Sequence, residues 1–312
     1  QEASRFIRTH ARDPFVLYVN FLEPHMPFFG PRDNQYRPED IPLPPNLDAE
    51  PCLAQPLKTR LLSEHYFRNG HGGMPLRTEG DWRRIISNYW GLCSLIDTHI
   101  GTILDTLETC GLTDSTIVVF TSDHGDMMGA HRLLAKCVMY QEALRVPLML
   151  RLPGQRRGLR IGGPVSQIDL VPTLLELLGQ PPPENLQGRS LRPLLESPRA
   201  ADGPVFVEWN GPNTGAWAAV RGEVRIPDWA AEIADLQTVQ SSATDPVRTV
   251  VTAEGWKFNC SPLGEHELYN LALDPCERHN VFSENREKAR ELRAEALAEQ
   301  AGGVEELEEQ LS

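Results

Sequence analysis

Three short apolar runs, Phe15–Phe21 (FVLYVNF), Ile117–Phe120 (IVVF) and Val146–Leu152 (VPLMLRL), dictate the architecture open to this chain. A near-continuous apolar run of this length reads as a strand buried on both faces. Between the first two, Tyr89, Leu92, Cys93, Ile96, Ile100, Ile103, Leu104 and Leu107 recur at steps of three and four. That spacing gives one apolar face to a helix over Trp82–Thr109, and Gly111 ends it as a left-handed cap. Further helices are expected over Gln1–Arg12, Val138–Ala143 and Leu170–Leu178, the last with Asp169 as N-cap, Pro172 in its first turn and Gly179 just past its end. Strands and helices in alternation predict an α/β fold, a mostly parallel sheet with helices on both faces.

The rhythm changes after Gln180, where Pro181, Pro182 and Pro183 mark a bend. Beyond it lie strand candidates at Val205–Trp209, Trp217–Arg221, Arg248–Thr252 and Trp256–Cys260, short and without long helices between them. They predict a small antiparallel sheet. Glu223–Ser242 is an insertion with no assignable element, and Ser283–Leu311 reads as a charged amphipathic terminal helix. The expected division is therefore an α/β domain over 1–200 and an α+β subdomain over 201–312.

Composition narrows the partners. A formal charge of -13 over 312 residues argues against a nucleic-acid-binding or anionic-membrane surface, so an anionic substrate needs a local basic pocket. Cys52, Cys93, Cys110, Cys137, Cys260 and Cys276 are scattered without a C-x-x-C pair, and reduced structural thiols are expected. No apolar run approaches the roughly 18 residues of a membrane span. The chain begins with Gln1, which leaves its compartment undetermined, and nothing in the sequence fixes its oligomeric state.

The chemistry gathers beyond the strands. Thr121 and Ser122 end the second apolar run, and Asp123, His124 and Gly125 follow. Successive strand residues point to opposite faces, so Asp123 and His124 reach one ion only where the strand has broken into a turn, for which Gly125 is suited. A carboxylate and an imidazole suit a divalent ion. Two ligands do not complete a shell, and the imidazole favours Mn²⁺ or another transition ion over Ca²⁺. The plainer alternative makes Asp123 a turn cap and His124 a satisfied core residue. His25 occupies a similar place beyond the first run, in Glu23-Pro24-His25-Met26-Pro27-Phe28, where prolines stiffen the turn. Lys136 swung back to the strand end would place a point charge on a tetrahedral anion; otherwise it is a surface lysine. The proline-rich Gly30–Pro56 reads as a long ordered loop, and His71, in the irregular Gly70–Gly80, as a solvated residue.

Taken together, T-S-D-H-G-D-M-M-G-A-H-R-L-L-A-K (residues 121–136) with Val146-Pro147-Leu148 resembles the sulfatase family of the alkaline phosphatase superfamily. The Glu23–Phe28 turn, Asp97–Gly101 through Cys110–Ser115, Val165–Leu175 with Gln187–Leu191, and Glu267–Leu271 with Asp274-Pro275 and Asn280 agree in order. The resemblance implies that Asp123 and His124 are metal ligands and that His25 and Lys136 contact the sulfate, His25 also assisting the leaving group. His131 would lie near the substrate by loop position, although Ala130 stands where the family often has Asp. The implied ion is Ca²⁺, with Mn²⁺ as the alternative, and the implied substrate is a small-molecule or carbohydrate sulfate ester.

One departure is large. The family's earlier half carries paired aspartate ligands and a C-x-P-x-R or S-x-P-x-R motif whose Cys or Ser becomes formylglycine, and neither occurs here. Cys260-Ser261-Pro262-Leu263-Gly264 is only a partial look-alike, with Gly in place of Arg, on the wrong side of the metal pair. The sequence thus resembles the C-terminal part of a sulfatase, an alkaline phosphatase-like sheet incomplete at its N-terminal side, and by itself would be inactive. The rivals are a phosphonate monoester or phosphodiester hydrolase of the same superfamily, and a sulfatase-like binding protein without chemistry.

Overall fold

The computed structural model of the chain describes residues 1–47, 55–210, 219–220, 223–224 and 226–301. The chain forms two compact units, Gln1–Pro51 with Leu61–Arg157, and Cys52–Arg60 with Gly158–Ser312.

In the first unit α1 (Glu2–Thr9) packs on α3 (Glu79–Thr109), burying Ile7 and joining Thr106 to Ser4 through their hydroxyls at 3.1 Å. Thr78 and Asp81 open α3 with a capping box, each satisfying the other's backbone N–H. Gly111 closes it at φ 70°, with Leu112 N–H returning to Leu107 O at 2.9 Å. A helix absent from the sequence reading, α2 (Leu57–Asn69), buries the polar Lys58, Thr59 and Ser63 as well as Leu57, Leu61, Leu62 and Tyr66.

The sheet differs from expectation. β1 (Val118–Thr121) and β2 (Leu148–Arg151) pair antiparallel, Val118 opposite Arg151 and Thr121 opposite Leu148. Every described strand pairing is antiparallel, so the predicted mostly parallel sheet is not what these residues form. A parallel pair needs a crossover, usually helical. Between β1 and β2 the chain instead doubles back through a tight loop and the four-residue α4 (Gln141–Leu144). The run Phe15–Phe21 is a second correction. It carries no strand pairing among the described residues, and Val16 (89% exposed) and Tyr18 (87%) stand in solvent. An apolar run becomes a buried strand only where neighbouring strands cover it, and sequence periodicity cannot supply those neighbours.

In the second unit a 3-10 turn (Gln167–Asp169), opened by a capping box of Ser166 and Asp169, runs into α5 (Leu170–Leu177), and Gly179 follows that helix at φ 70°. Asp169 also accepts the Arg189 N–H, which fixes the Gln187–Leu191 turn against the helix start. After α6 (Arg192–Glu196), β3 (Val205–Trp209) opens a four-stranded antiparallel sheet of order β3-β6-β7-β8. The remaining strands are β6 (Val247–Val251), β7 (Trp256–Cys260) and β8 (Glu267–Asn270). The predicted small antiparallel sheet is thus present. Of the Trp217–Arg221 candidate, Ala219–Val220 forms β4, paired with β5 (Glu223–Val224), while Trp217, Ala218 and Arg221 lie outside the described residues. Within the unassigned insertion, Asp235 caps α7 (Leu236–Thr244). The terminal helix is described as α8 (Arg286–Ala301), and the rest of that expected helix lies outside the described residues.

Alternation gives the four-stranded sheet two unlike faces. Val250, Phe258, Cys260 and Leu268 pack with Ala289 and Leu292 of α8. On the other face Thr249, Lys257, Asn259, Glu267 and Tyr269 are equally buried but polar. The hydroxyl of Thr249 donates to Asn259 at 2.8 Å, the Asn259 amide donates to Glu267 at 2.9 Å, and the Tyr269 phenol donates to Glu267 at 2.7 Å. Thr249 and Asn259, and Asn259 and Glu267, are direct cross-strand partners, so the network pins the register.

At the end of this sheet the His266 Nδ1 accepts the Ser261 N–H at 3.1 Å, and the ring lies against Phe258 and Phe282. Burial, with Arg293 and Arg286 nearby, holds its imidazole below the usual histidine range. Because the folded state binds this proton less readily, stability is retained above the ordinary value of about 6.5 and falls as pH drops below it. Protonation would also remove the acceptor, a loss of about 1 kcal/mol. The melting temperature is expected to fall from neutral pH to about pH 5, and to fall less in His266→Asn, whose Oδ1 accepts the same N–H without titrating. Parallel profiles for the two proteins would contradict this.

The five described cysteines carry no disulfide, and Cys52 lies outside the described residues. No described helix is long and apolar enough to cross a membrane.

Candidate active site

β1 ends at Thr121, so Asp123 and His124 stand beyond the ladder in a turn, as the sequence requires. The His124 N–H donates to Asp123 Oδ1 at 3.0 Å, and Ser122 Oγ donates to the His124 carbonyl at 2.9 Å. His124 Nδ1 lies 2.8 Å from the Gly125 carbonyl and therefore carries the proton. That leaves Nε2 as the free lone pair, 3.5 Å from Asp123 Oδ2. An oxygen and a nitrogen at that separation fit one ion at ordinary ligand distances of about 2.0–2.6 Å. Burial pushes the Asp123 carboxyl up, but the His124 N–H, the imidazole and the Ser122 hydroxyl outweigh it, and the group sits below the usual range. A pair of this kind supplies part of a divalent-ion shell. Among the described residues no group of three or more His, Cys, Asp or Glu side chains completes one.

Gly125 matters for a reason the sequence does not give. Its backbone is not left-handed; instead a Cβ here would stand 1.9 Å from the Glu142 carbonyl oxygen. The Gly125 N–H donates to Ala143 O at 2.8 Å, so α4 buttresses the turn that holds Asp123 and His124.

His25 follows the same local rule as His124. Its Nδ1 lies 2.8 Å from the Met26 carbonyl and donates to it, which leaves Nε2 facing the Lys136 ammonium at 2.7 Å. The two residues, 111 positions apart in sequence, meet in an exposed location. Lys136 is presented by the loop 126–137, in which Met128, His131, Arg132, Ala135 and Cys137 all have positive φ. A non-glycine residue held this way costs of the order of 1 kcal/mol or more, so the loop persists only because its surroundings over-determine it. Met127, Ala130, Leu133 and Leu134 are each at most 1% exposed.

Asp126, not singled out from the sequence, lies within the loop that presents Lys136. Its Oδ1 accepts the Met128 N–H at 3.1 Å and the Ala135 N–H at 3.0 Å. Burial lifts its pKa, opposed by those amides and by Lys136 and His124 nearby. Burial and this carboxyl also push the Tyr66 and Tyr89 phenols up, with Cys137 and Cys93 contributing, so both remain proton donors. The signal available in sequence was the second carboxylate of D-H-G-D.

His131 is placed differently. It is 3% exposed, its ring stacks on Tyr140 with centroids 3.9 Å apart, and its backbone N–H donates to the Asn46 carbonyl at 2.9 Å. The structure thus brings His25 to Lys136 and Asp123 to His124, and packs His131 into the wall beneath the loop. His71 is half-buried against Phe28, not solvated, and burial holds its imidazole low. Cys260 lies buried in β7 of the second unit, where burial pushes its thiol up.

The family model described as Sulfatase matches residues 1–180. The multifunctional alkaline phosphatase superfamily protein PehA of Trinickia caryophylli is 33% identical over 213 residues, 65% of this chain and 41% of that protein. The uncharacterized sulfatase YidJ of Escherichia coli (strain K12) is 32% identical over 286 residues, 90% of this chain and 50% of that protein. The chain therefore spans half or less of the length of these curated relatives. Among solved structures, a phosphonate monoester hydrolase from Silicibacter pomeroyi superposes with a TM-score of 0.75 at 23% identity, covering 97% of this chain and 60% of that one. The fold is that of the matched part of this enzyme.

Proposed function

The chain belongs to the sulfatase family, and from that premise we propose that it forms one wall of a sulfuric ester hydrolase site acting on a small-molecule or carbohydrate sulfate ester. The observation that carries the proposal is the 2.7 Å meeting of Lys136 Nζ with His25 Nε2, together with the Asp123–His124 pair fixed at the end of β1.

An anion entering between Lys136 and His25 takes the ammonium N–H that His25 now accepts. Lys136 then neutralises charge on the equatorial oxygens as the ester bond breaks. His25, its Nδ1–H anchored on Met26, offers Nε2 to the departing alcohol oxygen, as proton donor when protonated and as hydrogen-bond partner otherwise. Asp123 and His124 fit a divalent ion, Ca²⁺ by family with Mn²⁺ as the alternative, which would supply Lewis-acid charge at the same oxygens. His131, buried under the loop, supports this subsite by packing. The formylglycine nucleophile of the family and the remaining ligands are assigned to sequence outside these 312 residues. On this reading residues 1–200 are the catalytic part, and 201–312 a supporting subdomain.

A second reading, a phosphonate monoester or phosphodiester hydrolase, has support in the fold of the Silicibacter pomeroyi enzyme and in the imidazole of the ion shell, which suits a transition ion. Both readings predict that the 312-residue chain alone shows no turnover, and that the natural polypeptide containing it hydrolyses an aryl ester saturably. Asp123→Ala is expected to abolish that activity. Turnover by the 312-residue chain alone, lost in Asp123→Ala, would contradict the assignment of the nucleophile to outside sequence.

A further inference from the structure

We propose that Asp126 is a positioning residue for Lys136, acting as the tie that closes the loop 126–137 and delivers the ammonium to His25. The inference rests on the reading of Lys136 as the anion-binding cation. One carboxylate oxygen, Oδ1, accepts from Met128 at the loop's outgoing arm and from Ala135 at its return, 3.1 and 3.0 Å away. The arms are joined further by Met127 N–H to Ala135 O and Gly129 N–H to Leu133 O, both at 2.8 Å. Ala135 immediately precedes Lys136 and has φ 62°, a conformation it would leave if its N–H were not held. Gly129, at φ 97°, lets the tip approach Trp82 and Pro44, where a Cβ would already be 3.3 Å from the indole. Left-handed residues on both arms raise the energy of this loop, and a neutral side chain of other shape at 126 would release it.

The test uses the 312-residue chain with ring-¹⁵N-labelled histidine, and reads the His25 Nε2 resonance. Lys136→Ala sets the reference, because it removes the ammonium from that nitrogen and must displace the signal. Asp126→Ala is expected to reproduce most of that displacement, although Asp126 does not touch His25. Asp126→Asn keeps an oxygen acceptor for both amides and is expected to leave the signal near its wild-type position. Should Asp126→Ala not fold, Asp126→Ser, whose short hydroxyl reaches only one of the two amides, is expected to move the signal in the same direction.

Three results would overturn the proposal: a His25 signal unmoved by Lys136→Ala, one unmoved by Asp126→Ala or its serine substitute, or one moved as far by Asp126→Asn as by Asp126→Ala. The last would make charge, not the hydrogen-bonded tie, the operative property. Because no turnover is measured, failure of the hydrolase reading would appear separately, in the aryl-ester assay, and would leave this positioning result standing.

Discussion

Lys257→Met is expected to destabilise the second unit by about 3–5 kcal/mol, the usual consequence of stranding one charge of a buried pair. Lys257 and Glu277 are both 0% exposed, with Nζ and Oε1 2.5 Å apart. Methionine fills much of the lysine volume, so the loss isolates the charge and its hydrogen bonds from simple cavity formation. Against a folding stability of about 5–15 kcal/mol for an ordinary domain, it is a large fraction. The double variant Lys257→Met with Glu277→Gln is expected to recover part of it, since no uncompensated charge then remains. Urea unfolding measures both. A single variant within about 1 kcal/mol of wild type would show that the pair is nearly neutral to stability.

Lys136→Ala in the natural polypeptide is expected to lower kcat/KM for an aryl sulfate by about 10²–10³, the usual effect of removing one preorganised group that stabilises developing negative charge. The effect should fall on kcat more than on KM, because charge on the transferring group grows towards the transition state. Lys136→Arg keeps the charge but spreads it over a planar fork, and His25 Nε2 at 2.7 Å leaves little room for that shape, so only partial recovery is expected. A change below about tenfold would place Lys136 outside the chemistry.

The candidate residues were legible before the structure. Asp123, His124, His25 and Lys136 could be singled out as candidates because each follows an apolar run or lies in the loop beyond it, while their metal and sulfate roles came from the family resemblance. What the sequence hid was the reason for the geometry. Gly125 is glycine because α4 approaches within contact of its Cα, a fact about a segment some eighteen residues on. Asp126 drew no reading of its own, since its two amide partners are two and nine positions away. His131 read as a site residue by position, yet a stacked Tyr140 holds it inside.

The fold shows the same limits. Helix α3 was readable because a 3.6-residue apolar period and its glycine cap are local signals. Phe15–Phe21 was misread because burial depends on neighbours that no local pattern contains. In β7, the polar residues Lys257 and Asn259 alternate with apolar ones, which ordinarily marks a wet face. Here both faces are buried, and only the coordinates reveal the acceptors that make this tolerable.

The central claim, that His25 and Lys136 with the Asp123–His124 pair serve sulfate ester cleavage, is tested most directly by kcat/KM for an aryl sulfate and the matching aryl phosphonate monoester, measured on the natural polypeptide and its Lys136→Ala and Asp123→Ala variants. The account predicts that the sulfate is the better substrate and that both variants lose its turnover. No sulfate turnover, or turnover that survives both substitutions, would contradict it.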